Sequence, residues 1–165
     1  LGSADHGWLN AKHHFSFANY HNPEKMCHGE LLVINDDRID PHTGFDTHPH
    51  KDMEIITYVR KGAITHKDNK GNEGRTTSGN VQVMSAGTGI LHSEFNLEDE
   101  ETNIYQIWIK PKTTGIITPS NEKFQRLVMA PKLIIETKLV LLSNTASLTS
   151  RPSIRPIFFT TIRFM

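Results

Sequence analysis

The chain has 165 residues, 36% of them hydrophobic and 22% charged, enough for one domain with a real core. Lys+Arg and Asp+Glu both number 18, so the formal charge is zero, with no electrostatic footprint for nonspecific binding to nucleic acid or a membrane surface. Cys27 is the single cysteine, which excludes an internal disulfide and fits a reducing compartment.

Taken in chain order, the signals are for strands, and helix signals are weak throughout. Leu31 to Asp36 reads as an early strand. Glu54-Ile55-Ile56-Thr57-Tyr58-Val59 is rich in β-branched and aromatic residues and ends at Gly62. Ala63 to Lys67 continues as a short strand, and Asp68 to Asn72 reads as a turn. Val81-Gln82-Val83-Met84 alternates, after which Gly87 and Gly89 bracket a tight reversal. Thr102 to Ile109 is a long strand with Tyr105, Ile107 and Ile109 on one face and Ile104 and Trp108 on the other. Strands at this spacing with Gly-rich turns predict an all-β sandwich or barrel.

Two short segments carry chemistry. His48-Pro49-His50 and His92-Ser93-Glu94 each hold two metal-type side chains separated by one residue, and each follows a Gly-bearing turn segment. In a strand, residues i and i+2 share a face, roughly 6.5–7 Å apart, so each pair aims two groups at one point. Two such strands complete a site of three imidazoles and a carboxylate, which suits a divalent transition metal. A structural zinc site would draw on Cys, and only one is present. The remaining histidines, His6, His13, His14, His21, His28, His42 and His66, read as surface or satisfied core residues. Glu54, four residues after His50, is within reach of the same point; its ordinary reading is a strand residue paired with a nearby base or hydroxyl.

Composition changes along the chain. All ten histidines lie between His6 and His92, and the stretch from Ile116 to Met165 has no Gly, His, Asp, Trp or Tyr. Only Asn121 and Asn144 supply the turn chemistry that a β domain draws on, so the tail is poorly written for one.

At these residues the chain resembles the pirin family of the cupin superfamily. The likeness is carried by Gly44-Phe45-Asp46-Thr47-His48-Pro49-His50-Lys51-Asp52-Met53-Glu54, by Gly79 to Ile90 and by Leu91-His92-Ser93-Glu94-Phe95-Asn96. Asp5-His6-Gly7-Trp8-Leu9, Phe15-Ser16-Phe17-Ala18 and Gln106-Ile107-Trp108-Ile109 extend it over roughly residues 2 to 119. The resemblance implies a cupin, or jelly-roll, barrel over residues 1–119. It also implies one Fe(II), with other transition metals as alternatives, held by His48, His50, His92 and Glu94. The general cupin pattern makes the Glu54 position a ligand, whereas pirins use the glutamate at the Glu94 position.

Pirins carry a second barrel, and residues 120–165 do not look like one. The tail is expected to be a divergent remnant of that second cupin or a segment translated out of frame after about Pro131. Leu133-Ile134-Ile135-Glu136-Thr137 would fit a shifted reading of the Asn/Arg/Asp/Gly turn that pirin relatives carry there. The loss of a covering domain would leave apolar surface that favours self-association.

Two function classes follow from the resemblance. One is a dioxygenase that opens the heterocycle of a flavonol such as quercetin with O2 and loss of carbon monoxide. Glu94, with Glu54 second, is then the base that takes the substrate's hydroxyl proton. The other is an iron-dependent redox sensor or transcriptional co-regulator that binds a protein partner. No apolar run approaches the roughly 18 residues of a membrane span, and no secretory signal precedes the first folded segment. A cytoplasmic protein without direct nucleic-acid or membrane contacts is the expectation.

Overall fold

In the computed structural model, residues 1–115 are described in full, together with the backbone of two later strands. Ten strands fill residues 1–115: β1 Gly2–Asp5, β2 Leu9–His13, β3 Leu31–Ile39, β4 Thr43–His50, β5 Glu54–Lys61, β6 Ala63–Asp68, β7 Glu73–Thr77, β8 Val81–Ser85, β9 Ile90–Asn96 and β10 Thr102–Ile109. They form a six-stranded sheet in the order β1-β2-β3-β10-β5-β8 and a four-stranded sheet in the order β4-β9-β6-β7. Every ladder is antiparallel. The fold is the all-β jelly roll that the sequence implies, and the strands expected from β-branched runs coincide with β3, β5, β6, β8 and β10. The short β1, β2 and β7 carry no such runs and are recruited by pairing with their neighbours.

The reversal expected at Gly87 and Gly89 is present: both take positive φ, 47° and 147°, and Gly89 N–H donates to the Ala86 carbonyl. That turn delivers the chain into β9. The remaining two strands, β11 Leu133–Leu139 and β12 Phe158–Phe164, pair antiparallel with each other. The expected boundary at residues 119 and 120, and the turn chemistry of the tail, lie outside the described residues.

Two apolar clusters fill the space between the sheets. One gathers Leu9, Ala11, Ile39, Val59, Ile64 and Ile104, with Trp8 and Phe45 against it; the other gathers Ile55, Met84, Ala86 and Ile90, with Met53 and Trp108. Register explains why these clusters do not merge. His13 pairs with Asn35, Asn35 with Gln106, Gln106 with Thr57, and Thr57 with Gln82. Residues directly opposite one another across strands share a face. These five buried side chains therefore form one polar row across β2, β3, β10, β5 and β8. The β10 alternation read from sequence fits this arrangement, with Ile104, Gln106 and Trp108 turned to the interior and Tyr105 and Ile107 to the other face.

β4 runs tight against β9 at Gly44. A Cβ there would run into the Glu94 carbonyl oxygen and Phe95 Cα of β9, both backbone atoms that cannot rotate away. Gly44→Ala should force β4 from β9 and lower stability by about 1–3 kcal/mol, as overpacking does. Urea unfolding of the two proteins checks this, and equal midpoints would refute the close approach.

Candidate metal centre

Strand register, more than turn geometry, assembles the centre. On one side of β9, His48 of β4 stands directly opposite His92. On the other, β6 places Asp68 opposite His92 and His66 opposite Glu94. The interior face of the small sheet thus carries one row of His48, His92 and Asp68 beside a second with Glu94 and His66. The ladder between β4 and β9 slips between Phe45 and His48, the bulge that brings His48 into this register.

The ring nitrogens of His48, His50 and His92 lie within 4.8 Å of one another, as do ligand atoms of His66, His92 and Glu94, so His92 belongs to both groups. His48 Nδ1 lies 2.6 Å from the Asp46 carbonyl oxygen. A carbonyl only accepts, so this nitrogen carries the proton and His48 Nε2 presents a lone pair. That lone pair faces His92 Nε2 at 3.0 Å. Two nitrogens bound cis to one ion at about 2.1 Å each sit about 3.0 Å apart in an octahedral shell. His50 Nε2 is buried with no hydrogen-bond partner. Three convergent imidazoles, one nitrogen orphaned and two facing each other at a ligand-to-ligand distance, fit a divalent metal.

Glu94 is held from the opposite sheet. Its Oε1 accepts from Gln82 Nε2 at 2.8 Å and from Thr57 Oγ1 at 3.1 Å, and its Oε2 accepts from Gln106 Nε2 at 2.6 Å. The Gln106 amide cannot turn freely, because its oxygen accepts from Trp108 Nε1 at 3.2 Å. Three members of the polar row, Gln106, Thr57 and Gln82, are therefore donors for one carboxylate. Glu54 lies at the start of β5, where its Oε1 accepts from Ser85 Oγ at 2.6 Å, outside both groups of ligand atoms. That contact is the hydroxyl pairing that its ordinary reading describes.

A cavity of about 600 Å³ opens onto the centre, lined by His48, His50 and Glu94 and walled by Trp8, Phe17, Tyr20, Phe45 and Trp108. Such a volume lies within the roughly 300–1,000 Å³ of small-molecule sites. The rings that press on the centre are close: His50 and Trp108 meet edge to face at 4.8 Å between centroids. Asp37 also lines the cavity, buried in the row of Ala11, Ile104 and Val59, with Oδ1 unpartnered. Desolvation, reinforced by Asp36 and Glu94, pushes its carboxyl up to about 7.

Of the four residues expected as ligands, His48, His50 and His92 converge in one group, Glu94 joins His92 in the other, and Glu54 stands apart from both. Sequence reasoning passed over His66, Asp68, Gln82, Gln106 and Asp37. For two of these the signal was present: His66-Lys67-Asp68 is a third pair with the i, i+2 spacing of His48/His50 and His92/Glu94. The glutamines and Asp37 leave no such trace, since a single polar residue in a strand reads as a solvent-facing one until the register is known.

The sequence profile of one family, Pirin, matches residues 2–109. The chain belongs to the pirin family. A pirin-like protein of Caulobacter vibrioides is 69% identical over 115 residues, which is 70% of this chain and 50% of that protein. A quercetin 2,3-dioxygenase of Escherichia coli K12 is 54% identical over 123 residues, 74% of this chain and 53% of that enzyme. Among solved structures, the bacterial pirin YhhW from Escherichia coli in complex with nickel(II) superposes with a TM-score of 0.68 at 54% identity, covering 70% of this chain and 51% of that one. This pirin spans about half the length of the curated relatives it matches. Its histidine and glutamate cluster could hold a metal ion, and a solved relative is in complex with nickel(II).

Burial and the neighbouring rings push His50 down to about 4 and His92 down to about 3, so both stay neutral, the form a metal requires. In the metal-free protein this sets a pH slope. Below their ordinary 6.5 the two rings take up protons when unfolded but not when folded, so stability falls as pH drops toward 4. Asp37 acts oppositely over the same window, holding a proton when folded that it releases above 3.8 when unfolded. Two histidines against one aspartate leave about one net proton, so stability should rise with pH between about 4 and 6.5. Asp37→Asn should steepen that rise toward two protons; urea unfolding across the pH range with chelator present measures it, and a flat or falling profile would sink the assignment.

Proposed function

We propose that the chain is an Fe(II)-dependent dioxygenase of the pirin type, acting on flavonols such as quercetin in the cytoplasm. Residues 1–119 form its metal-bearing cupin unit, and the tail is a divergent second half or an out-of-frame segment. The observation that carries the reading is the aromatic-walled cavity lined by His48 and His50, whose ring nitrogens converge with that of His92. A flat polyphenol fits such walls, which stack on its rings and leave its hydroxyls to the polar end of the pocket. The similarity to a quercetin 2,3-dioxygenase supports the same substrate class.

His48, His50 and His92 would hold the metal, with Glu94 completing the set. Bound iron supplies Lewis acidity toward a flavonol hydroxyl and a position for O2 beside it. The protein residues do the rest. Glu94 lines the cavity and has a carboxylate oxygen within 4.8 Å of a His92 nitrogen, so it takes the hydroxyl proton, while Gln82, Gln106 and Thr57 fix the orientation of its carboxylate. Glu54, engaged with Ser85, is the weaker base. Trp8, Phe17 and Phe45 shield the reacting end from water.

Elemental analysis on anaerobically purified protein, coupled to an oxygen electrode with quercetin, tests this. Stoichiometric iron with flavonol-dependent O2 uptake is the expected result. Iron without uptake would overturn the enzyme reading and favour the redox co-regulator with a protein partner. His92→Ala should lose both metal and activity, and a His92→Ala protein with full iron would contradict the ligand assignment.

A further inference from the structure

Behind His92, away from the cavity, lies a pair of buried groups that the proposed reaction does not use. His92 Nδ1 is 3.3 Å from His66 Nδ1, and His66 Nε2 is 3.2 Å from Asp68 Oδ2. His66 is 1% exposed, and both side chains of the His66–Asp68 pair are 2% exposed. Asp68 is itself fixed: its Oδ1 accepts from the Lys70 and Asn72 N–H groups and its Oδ2 from the Asn72 amide. The carboxylate is anchored in the turn after β6 and addresses the ring from outside the centre.

We infer that Asp68, acting through His66, sets the tautomer of His92 and so aims its Nε2 lone pair at the metal. The steps are forced by donor and acceptor chemistry. Asp68 Oδ2 accepts, so His66 carries its proton on Nε2, and its Nδ1 is left as an acceptor. His92 Nδ1, facing that acceptor, carries the proton of its ring. His92 Nε2 is then a lone pair, directed at the point that His48 Nε2 also faces. Gln82 Nε2, 3.3 Å from His66 Nδ1 while donating to Glu94, has its second hydrogen free for the same acceptor. His48 reaches the equivalent state with a backbone carbonyl, through Asp46. Metal-binding histidines commonly lean on a carboxylate or carbonyl in this way, and loss of that partner typically costs about 10–100-fold in metal affinity. Here the carboxylate stands one ring further out, with His66 as the intermediary. His66 and Asp68 are positioning residues: neither touches the cavity.

This inference rests on the metal-centre reading, and cobalt(II) is the probe that separates the two. Cobalt affinity of the full chain is measured by competition with a chelator, and the visible spectrum of the loaded protein reports the ligand geometry. Histidine nitrogen NMR on metal-free protein reads the tautomer of His92. Asp68→Asn offers His66 a donor in place of an acceptor, which should reverse both rings. The expected result is a His92 proton moved from Nδ1 to Nε2, with cobalt affinity lowered about 10–100-fold. His66→Phe leaves the Asp68 turn untouched but removes the acceptor, and should lose affinity to a similar degree. His66→Gln, whose amide oxygen can accept from His92, should recover most of it and restore the cobalt spectrum. Thermal unfolding with chelator present confirms that each variant is folded. Wild-type cobalt affinity in both Asp68→Asn and His66→Phe, with an unchanged His92 tautomer, would overturn the relay. A wild-type chain that takes up no cobalt would overturn the metal-centre reading instead, and the NMR comparison would still decide the relay.

Discussion

A carboxylate buried between two sheets must be met by donors, and Glu94 is met by three, all from the sheet it does not belong to. An unpaired carboxylate in such a place would cost several kcal/mol or take up a proton. The polar row of Gln106, Thr57 and Gln82 is the answer to that demand, and it reaches across three adjacent strands. It divides the interior into two apolar clusters and ties the small sheet to the large one at a defined height. The position of the metal centre along the barrel follows from this one interaction.

The histidines depend on a second device, the register of β4, β9 and β6. A single-residue slip in a strand sends every side chain to the opposite face. The centre survives because β9 is paired on both sides, with His48 opposite His92 on one flank and Asp68 opposite His92 on the other. Gly44 allows β4 to approach β9 closely enough for that pairing. Proton placement is then decided locally: the Asp46 carbonyl for His48, and the His66–Asp68 pair for His92. Burial, which keeps His50 and His92 neutral, supplies the remaining condition for a metal to bind.

The cavity links this centre to chemistry. Its aromatic walls come from β4, β10 and the segments that flank β2, so they are assembled from parts of the chain up to a hundred residues apart. Trp108 serves two roles, packing its ring edge to face on His50 and holding the Gln106 amide that donates to Glu94. Substrate wall and metal ligands are therefore mechanically joined. Asp37, buried among aliphatic neighbours at the same cavity, has its carboxyl pushed up to about 7, so it holds a proton in part near neutral pH and in that form can donate to a ligand oxygen.

What the sequence determined by itself was the local chemistry: strands where β-branched residues cluster, a reversal at Gly87 and Gly89, and two i, i+2 pairs of ligand type. These signals are local because alternation and backbone freedom act over a few residues. The family was legible for the same reason, carried by contiguous blocks around His48 and His92. The tertiary structure alone decided which polar residues face inward. Gln82, Gln106 and Asp37 look like ordinary strand polar residues until pairing assigns them a face, and Glu54, within reach of the ligand point by spacing alone, is seen to be engaged by Ser85. His66 shows the boundary most clearly. Its spacing from Asp68 was visible in the chain, yet its place behind His92 arises only when β6 pairs with β9, because contact between distant segments is written in register and not in sequence spacing.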